Sequence, residues 1–133
     1  KPNAGTTNPD VKINVVSGFG VWIVKPSKFS IFGRYDHSDA NPDASGIETY
    51  YCRGRESAAL ALALQRKIVA ATGAESRKVQ SRRLHVLRCN YHPAVLCELG
   101  FLTNRAESRR IDSTSYRQRL ADAIASVITA RYR

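Results

Sequence analysis

The 133-residue chain lacks any apolar run of about 20 residues, so none of its segments is predicted to span a membrane. Its first nine residues are polar and rich in turn formers, without the apolar core of a signal peptide. A secreted precursor would therefore have lost its signal already. Helix-turn-helix, zinc-finger and stacked-aromatic patterns are also missing, and we expect no specific nucleic-acid partner.

Cysteine is scarce, and its pattern excludes a disulfide framework or a zinc finger. The three cysteines, Cys52, Cys89 and Cys97, have neither zinc-finger spacing nor an even count. Cys97 lies in an apolar run and is predicted to point into the core. A bond between Cys52 and Cys89 would require their segments to lie close together, which the sequence does not determine.

Positive charge is abundant, with 21 Lys and Arg against 11 Asp and Glu and a formal net charge of +10. Residues 1–45 are nearly balanced, whereas residues 46–133 carry most of the excess. Such a charge favours a polyanionic partner, which could be nucleic acid, anionic lipid or an anionic cell wall. Charge alone does not discriminate between these partners.

Hydrophobic periodicity predicts an α/β fold: a single domain with a mixed β-sheet flanked by helices. Residues 1–45 form an atypical N-terminal part and residues 46–133 the remainder. Strands are predicted over 11–16, 21–24, 29–32, 46–52, 84–88 and 94–100, the first two as a hairpin, with a loop over 33–46. Helices are predicted from 56 or 57 to 71, ending at Gly73, and over the C-terminal segment, with Ser113 or Thr114 as its N-cap.

The most informative stretch is Pro93-Ala-Val-Leu-Cys-Glu-Leu-Gly-Phe-Leu-Thr-Asn104, an apolar run of strand length interrupted by Glu98. Burying an unpaired carboxylate is costly, so a compensating group is expected. A metal with its bound water would serve, and so would one of the many arginines. Thr103 and Asn104 suit a turn or a helix N-cap that closes the strand.

This stretch follows two others, G-I-E-T-Y-Y at 46–51 and L-H-V-L-R at 84–88. The order and residue patterns of these three stretches resemble those of the zinc-dependent N-acetylmuramoyl-L-alanine amidases, a family of cell-wall hydrolases. The resemblance covers about two-thirds of the chain, from near His37 to the C-terminus. It implies a peptidoglycan substrate and a bacterial protein that is periplasmic or secreted to the cell wall.

The resemblance also implies a chemistry. In that family two His and one Glu hold zinc with an open position for water, and a further Glu moves the proton between water and leaving amine. By its motif, Glu98 takes the proton-shuttling role. His37 begins an H-x-[N/D]-A segment nine positions before Gly46 and is the candidate zinc ligand.

Two departures from the family pattern stand against a complete site. The upstream strand ending in D-P-G-H-G-G and the helix with a ligand Glu have no counterpart in residues 1–45, so two of three expected ligands are missing. A rival alignment matches residues 29–32 to the ligand strand and places Phe32 at the ligand position, with His37 in an inserted loop. Asp36 and Asp39 flank His37, but neighbouring residues rarely point at one metal.

The remaining candidates are assigned structural or open roles. His85 and His92 are predicted to be structural, with His92 the nearer to the site. Arg88 could face an acidic stem peptide or neutralise Glu98. The sequence supports an amidase, and as an alternative an inactive amidase-like domain that binds peptidoglycan or another partner. A basic nucleic-acid-binding protein is a third, weaker hypothesis, and the oligomeric state is left open.

Overall fold

The computed structural model describes residues 11–16, 19–24, 30–36 and 41–132. Its elements, in chain order, are β1 (Val11–Val16), β2 (Phe19–Val24), β3 (Ser30–Asp36), β4 (Ile47–Tyr51), α1 (Arg55–Thr72), β5 (Ser76–Ser81), α2 (His85–Arg88), β6 (Ala94–Phe101), α3 (Arg105–Asp112) and α4 (Thr114–Arg131).

The six strands form one mixed sheet in the order β1-β2-β3-β6-β4-β5. The β1–β2 and β2–β3 pairs are antiparallel, β3 runs parallel to β6, β6 is antiparallel to β4, and β4 is parallel to β5. Strand β6 thus lies inside the sheet, and all eight of its residues are buried. The predicted α/β class with a mixed sheet and helices is confirmed.

The two long helices cover one face of the sheet. Helix α1 contacts β4, β5 and β6, and α4 packs against α1. The predicted apolar stripe of α1 is buried at Leu60, Leu64 and Ile68, and that of α4 at Tyr116, Leu120, Ile124 and Val127. Membrane-spanning helices are absent from the described residues.

Helix ends follow the predicted signals. Gly73 ends α1 in the left-handed conformation (φ +69°), which glycine adopts without steric cost. Asn104 caps α3 by accepting from the backbone N–H groups of Ala106 and Glu107, and Ser113 caps α4. The chain therefore turns sharply after β6 into two consecutive helices.

A buried glutamine joins α1 to the sheet beneath β4. The Gln65 amide donates to the Ile47 carbonyl at 2.7 Å and to the Ser76 hydroxyl at 3.0 Å, and its oxygen accepts from Thr49 at 2.7 Å. These bonds satisfy a polar side chain that is only 4% exposed. They also fix β4, whose opposite face carries Glu48.

Three sequence predictions fail locally. Residues 84–88 were expected as a strand, but His85–Arg88 form a short helix whose Leu87 fills a second apolar cluster with Tyr50, Ala94 and Leu96. The strand β5 was not predicted, because Val79 is its one apolar residue. The expected loop over 33–46 is too long, since β3 continues to Asp36 through its pairing with β6. The predicted hairpin at the N-terminal end of the sheet is confirmed.

Candidate functional site

Two carboxylates face each other on the side of the sheet opposite α1. Glu48 of β4 lies directly across from Glu98 of β6 in the antiparallel ladder. Residues opposite each other in such a ladder project from the same face, and Thr49 and Cys97 project from the other. Both glutamates are almost fully buried, with 5% and 3% exposure. This pair of carboxylates is the candidate functional site of the described residues.

Glu98 is held by an arginine from the neighbouring parallel strand. Arg34 of β3 is in register with Glu98, and its Nε donates to Glu98 Oε1 at 2.9 Å while its second guanidinium nitrogen contacts the same oxygen. The Arg34 side chain is 37% exposed, whereas that of Glu98 is 3% exposed. The sequence left open whether a metal or an arginine offsets the charge of Glu98, and Arg34 is the arginine that does so.

Glu48 is held by a different set of groups. The Gln80 amide donates to Glu48 Oε1, and the Arg77 Nε lies 3.5 Å from Oε2. The Arg77 guanidinium also stacks over the Phe101 ring, 4.9 Å from its centroid. Strand β5 thus supplies both partners, although its sequence showed no strand signal.

Tyr50 adds a third acidic group to the same face. Burial, a hydrogen bond with Glu48 and the charges of Glu98 and Glu48 raise the pKa of its phenol, while Arg82 acts in the opposite direction. The Arg82 guanidinium lies over the Tyr50 ring at 5.7 Å. The phenol therefore stays protonated at physiological pH and can serve as a donor.

The turn after β6 is anchored by a third buried glutamate. Glu107 of α3 is 6% exposed, and its Oε2 accepts from the Phe101 backbone N–H at 2.9 Å. Asn104 caps the same helix, as its sequence predicted. The C-terminal end of the Glu98 strand is therefore fixed in place, and Asn104 has a structural role there.

The other predicted residues lie apart or outside the described part. His37, Asp39 and the side chain of Asp36 lie outside what the structure describes, as does the side chain of Phe32. His85 is exposed on α2 and shares a hydrogen bond with Arg88, so its predicted strand environment is wrong. His92 is partly buried just before β6.

The three cysteines are free, and the described residues contain no cluster of metal donors. Cys52, Cys89 and Cys97 are free thiols, and Cys97 points into the core as predicted. Burial raises the pKa of the Cys97 thiol to about 12, a shift that a hydrogen bond from Thr49 partly opposes. Within residues 41–132 and the described strands before them, no three His, Cys, Asp or Glu side chains group to hold a metal.

Sequence reasoning identified Glu98 and missed the partners around it. Glu48 stood in a recognised motif, and its alternation with Ile47 and Thr49 placed it on the polar face of a strand. Nothing in the sequence set the register that brings it opposite Glu98.

Comparison with known proteins gives one consistent result. The family model described as N-acetylmuramoyl-L-alanine amidase matches residues 35–130. An uncharacterised cell wall amidase of Bacillus anthracis is 35% identical over 124 residues, covering 86% of this chain and 23% of that protein. The N-acetylmuramoyl-L-alanine amidase LytC of Bacillus subtilis is 31% identical over 102 residues, covering 73% of this chain and 21% of LytC.

A solved structure agrees with the sequence matches. The crystal structure of N-acetylmuramoyl-L-alanine amidase from Clostridium difficile 630 superimposes with a TM-score of 0.74 at 28% identity. The match covers 77% of this chain and 56% of that one. The chain thus spans between a fifth and somewhat more than half the length of these three proteins.

Proposed function

The chain belongs to the N-acetylmuramoyl-L-alanine amidase family, and from that membership we propose that it hydrolyses peptidoglycan at the amide between N-acetylmuramic acid and L-alanine. The observation that carries the proposal is Glu98, a buried carboxylate on the central strand of a polar face. The net charge of +10 suits an acidic wall polymer. The proposed place of action is outside the cytoplasm, at the cell wall.

In the proposed reaction Glu98 moves one proton. Its carboxylate accepts a proton from water as the water oxygen bonds to the amide carbonyl carbon. The carbon–nitrogen bond then breaks, and the proton on Glu98 passes to the departing nitrogen of L-alanine. The rigid seat on β6 and the hydrogen bonds from Arg34 support this role, because they fix the carboxylate in one orientation.

Zinc is the proposed metal, with His37 as its proposed ligand, on the basis of the family resemblance. When bound, zinc would lower the pKa of water and polarise the scissile carbonyl. The described residues do not complete a zinc site, since Glu48 and Glu98 are both engaged by arginines and no third donor joins them. Zinc binding by this chain would therefore require His37 together with donors that the described residues do not supply.

A second candidate is an amidase-like domain that binds peptidoglycan without cleaving it. The observation that favours it is the engagement of Glu98 Oε1 by two guanidinium nitrogens of Arg34. A carboxylate held in this way is a weaker proton acceptor than a free one. Binding by this domain would be insensitive to chelators.

The two candidates separate in one experiment on purified peptidoglycan. New amino groups of L-alanine are counted after incubation with the parent chain, with Glu98→Gln, and with Asp122→Asn as a control on the exposed face of α4. We expect new amino groups with the parent and the control and none with Glu98→Gln. The circular dichroism spectrum of Glu98→Gln should match that of the parent. Release by Glu98→Gln at the parent rate would refute its role. Wall sedimentation without release, unchanged by chelator, would establish the binding domain instead.

Zinc is tested separately by elemental mass spectrometry. About one zinc per chain in the parent would establish a working site, because a catalytic site of this family holds a single ion, whereas no tight zinc would favour the binding domain. The ion should be lost in His37→Ala. Zinc retained in His37→Ala would exclude His37 as a ligand.

A further inference from the structure

The most unusual feature of the polar face is a pair of like charges placed directly opposite each other. In an antiparallel ladder the Cβ atoms of opposite residues are about 4.5–5.5 Å apart, and like charges at such positions repel. Glu48 and Glu98 occupy these positions, and water reaches almost none of either side chain. A purely structural sheet would gain stability from an apolar residue at one of them.

The groups around the pair offset its charge only in part. Arg34 forms an ion pair with Glu98, and Arg77 forms one with Glu48. Both guanidinium groups are more than a third exposed, so solvent screens their attraction. The contact of Arg77 is also long, at 3.5 Å, and the other groups that bond to Glu48, the Gln80 amide and the Tyr50 phenol, are neutral.

We propose that Glu48 is a positioning residue for Glu98, and that its buried negative charge raises the affinity of Glu98 for a proton. This inference rests on the proposed role of Glu98 as proton carrier. A carboxylate that binds protons more tightly is a better base toward water. The charge of Glu48 thereby counteracts the effect of Arg34, which favours the ionised form of Glu98.

Charged and titratable groups on three neighbouring parts of the chain contribute to this balance. Arg34 faces it from β3, Glu48 and Tyr50 from β4, and Arg77 and Arg82 from β5 and the residue that follows it. Tyr50 responds to the negative charge of both carboxylates, because both raise the pKa of its phenol. Its protonated hydroxyl adds no charge, so Glu48 is the anion nearest in register to Glu98.

The test is a direct titration of Glu98 in the full chain. Glutamate side chains are labelled with ¹³C at the carboxyl carbon, and the Glu98 signal is assigned by its absence from Glu98→Gln. In Glu48→Gln, which removes the charge and keeps an oxygen for Gln80 to bond, we expect the midpoint of Glu98 to fall by about one pH unit, or tenfold in proton affinity. Asp122→Asn removes a charge from α4 and should leave the midpoint where it is.

Two further variants keep the test decisive. Glu48→Asp retains the charge and should restore most of the parent midpoint. Arg77→Gln removes the cation beside Glu48, so the midpoint of Glu98 should rise, and this variant serves if Glu48→Gln does not fold. A midpoint that is unchanged in Glu48→Gln, or unchanged in Arg77→Gln, would overturn the proposal.

The titration does not require turnover. A parent chain that frees no L-alanine amino group in peptidoglycan would overturn the proposed hydrolysis and leave the coupling of the two carboxylates measurable. In an active chain the acidic limb of kcat/KM should move with the Glu98 midpoint from variant to variant. A limb that stays fixed while the midpoint moves would show that Glu98 is not the base.

Discussion

Replacing Arg34 with glutamine should lower the free energy of unfolding, because it removes a cation from the buried pair Glu48 and Glu98. The substitution removes the guanidinium whose Nε bonds to Glu98 Oε1 at 2.9 Å, and the shorter amide cannot replace its two donors. Glu98, which is 3% exposed and lies opposite Glu48, would then lack the ion pair with Arg34.

The magnitude follows from the geometry and from solvent screening. Two unit charges about 4 Å apart attract by about 4 kcal/mol at an effective dielectric constant of about 20. Arg34 is 37% exposed, so screening and its own hydration remove a large part of that attraction. We expect the free energy of unfolding to fall by about 1–3 kcal/mol at pH 7, below the roughly 3–5 kcal/mol typical of a fully buried pair.

The loss should depend on pH in a defined direction. Arg34 favours the ionised form of Glu98, so its contribution is present above the carboxyl's unfolded pKa of about 4.3 and is lost as Glu98 takes up a proton in the folded state. The difference between parent and Arg34→Gln should therefore be largest at pH 7 and shrink below about pH 4, so that it is small at about pH 3.

Urea unfolding followed by circular dichroism measures this difference at both pH values. Arg66→Gln, on the exposed face of α1, is the matched control because it makes the same change to the net charge of +10. A loss in Arg34→Gln that equals that of the control, or that does not shrink at about pH 3, would refute the electrostatic account of this pair.

Two further outcomes follow from the backbone and the thiols. Gly46→Ala should lower the free energy of unfolding by roughly 2–4 kcal/mol, because φ is +101° and a Cβ there would lie 2.6 Å from the Glu75 carbonyl oxygen. At Gly73, φ is +69° and an added Cβ would meet no other atom within 4 Å, so Gly73→Ala should lower the free energy of unfolding by only about 1 kcal/mol. Thermal melting measures both variants, and an equal loss of stability in the two would exclude the clash at Gly46. Iodoacetamide at pH 8 should modify the exposed Cys89 in the native chain and leave Cys97 unmodified, because the buried Cys97 thiol has a pKa raised to about 12. Mass spectrometry locates the label, and modification of Cys97 as fast as that of Cys89 would contradict its burial.

Elements with a strong period or a terminal signal could be predicted from the sequence. The stripe from Leu60 to Ile68 and the glycine at 73 defined α1, and the alternation at 47–51 defined β4. Glu98 stood out because a carboxylate in an apolar run requires a compensating group, and its role as proton carrier was implied by the family resemblance. In each case the information lies within a few neighbouring residues.

The remaining elements depend on distant contacts. The run Leu-His-Val-Leu at 84–87 alternates like a strand, yet it is too short for its period to separate strand from helix, and the cluster around Leu87 decides. Strand β5 has one partly buried apolar residue, Val79, and exists because β4 offers it a parallel edge. The facing of Glu48 and Glu98 is a matter of register between strands about 50 residues apart, which no local pattern encodes.

The parallel pairing of β3 with β6 also sets the order of assembly. Arg34 and Glu98 are 64 residues apart in sequence, and the two strands can meet only after the intervening chain has closed into a loop. Loop closure lowers the entropy of the chain before the strands form stabilising contacts, so sheets rich in distant pairings fold slowly. During synthesis the edge of β3 that pairs with β6 therefore stays without this partner until β6 has left the ribosome, and β6 carries Glu98 into the sheet when it pairs.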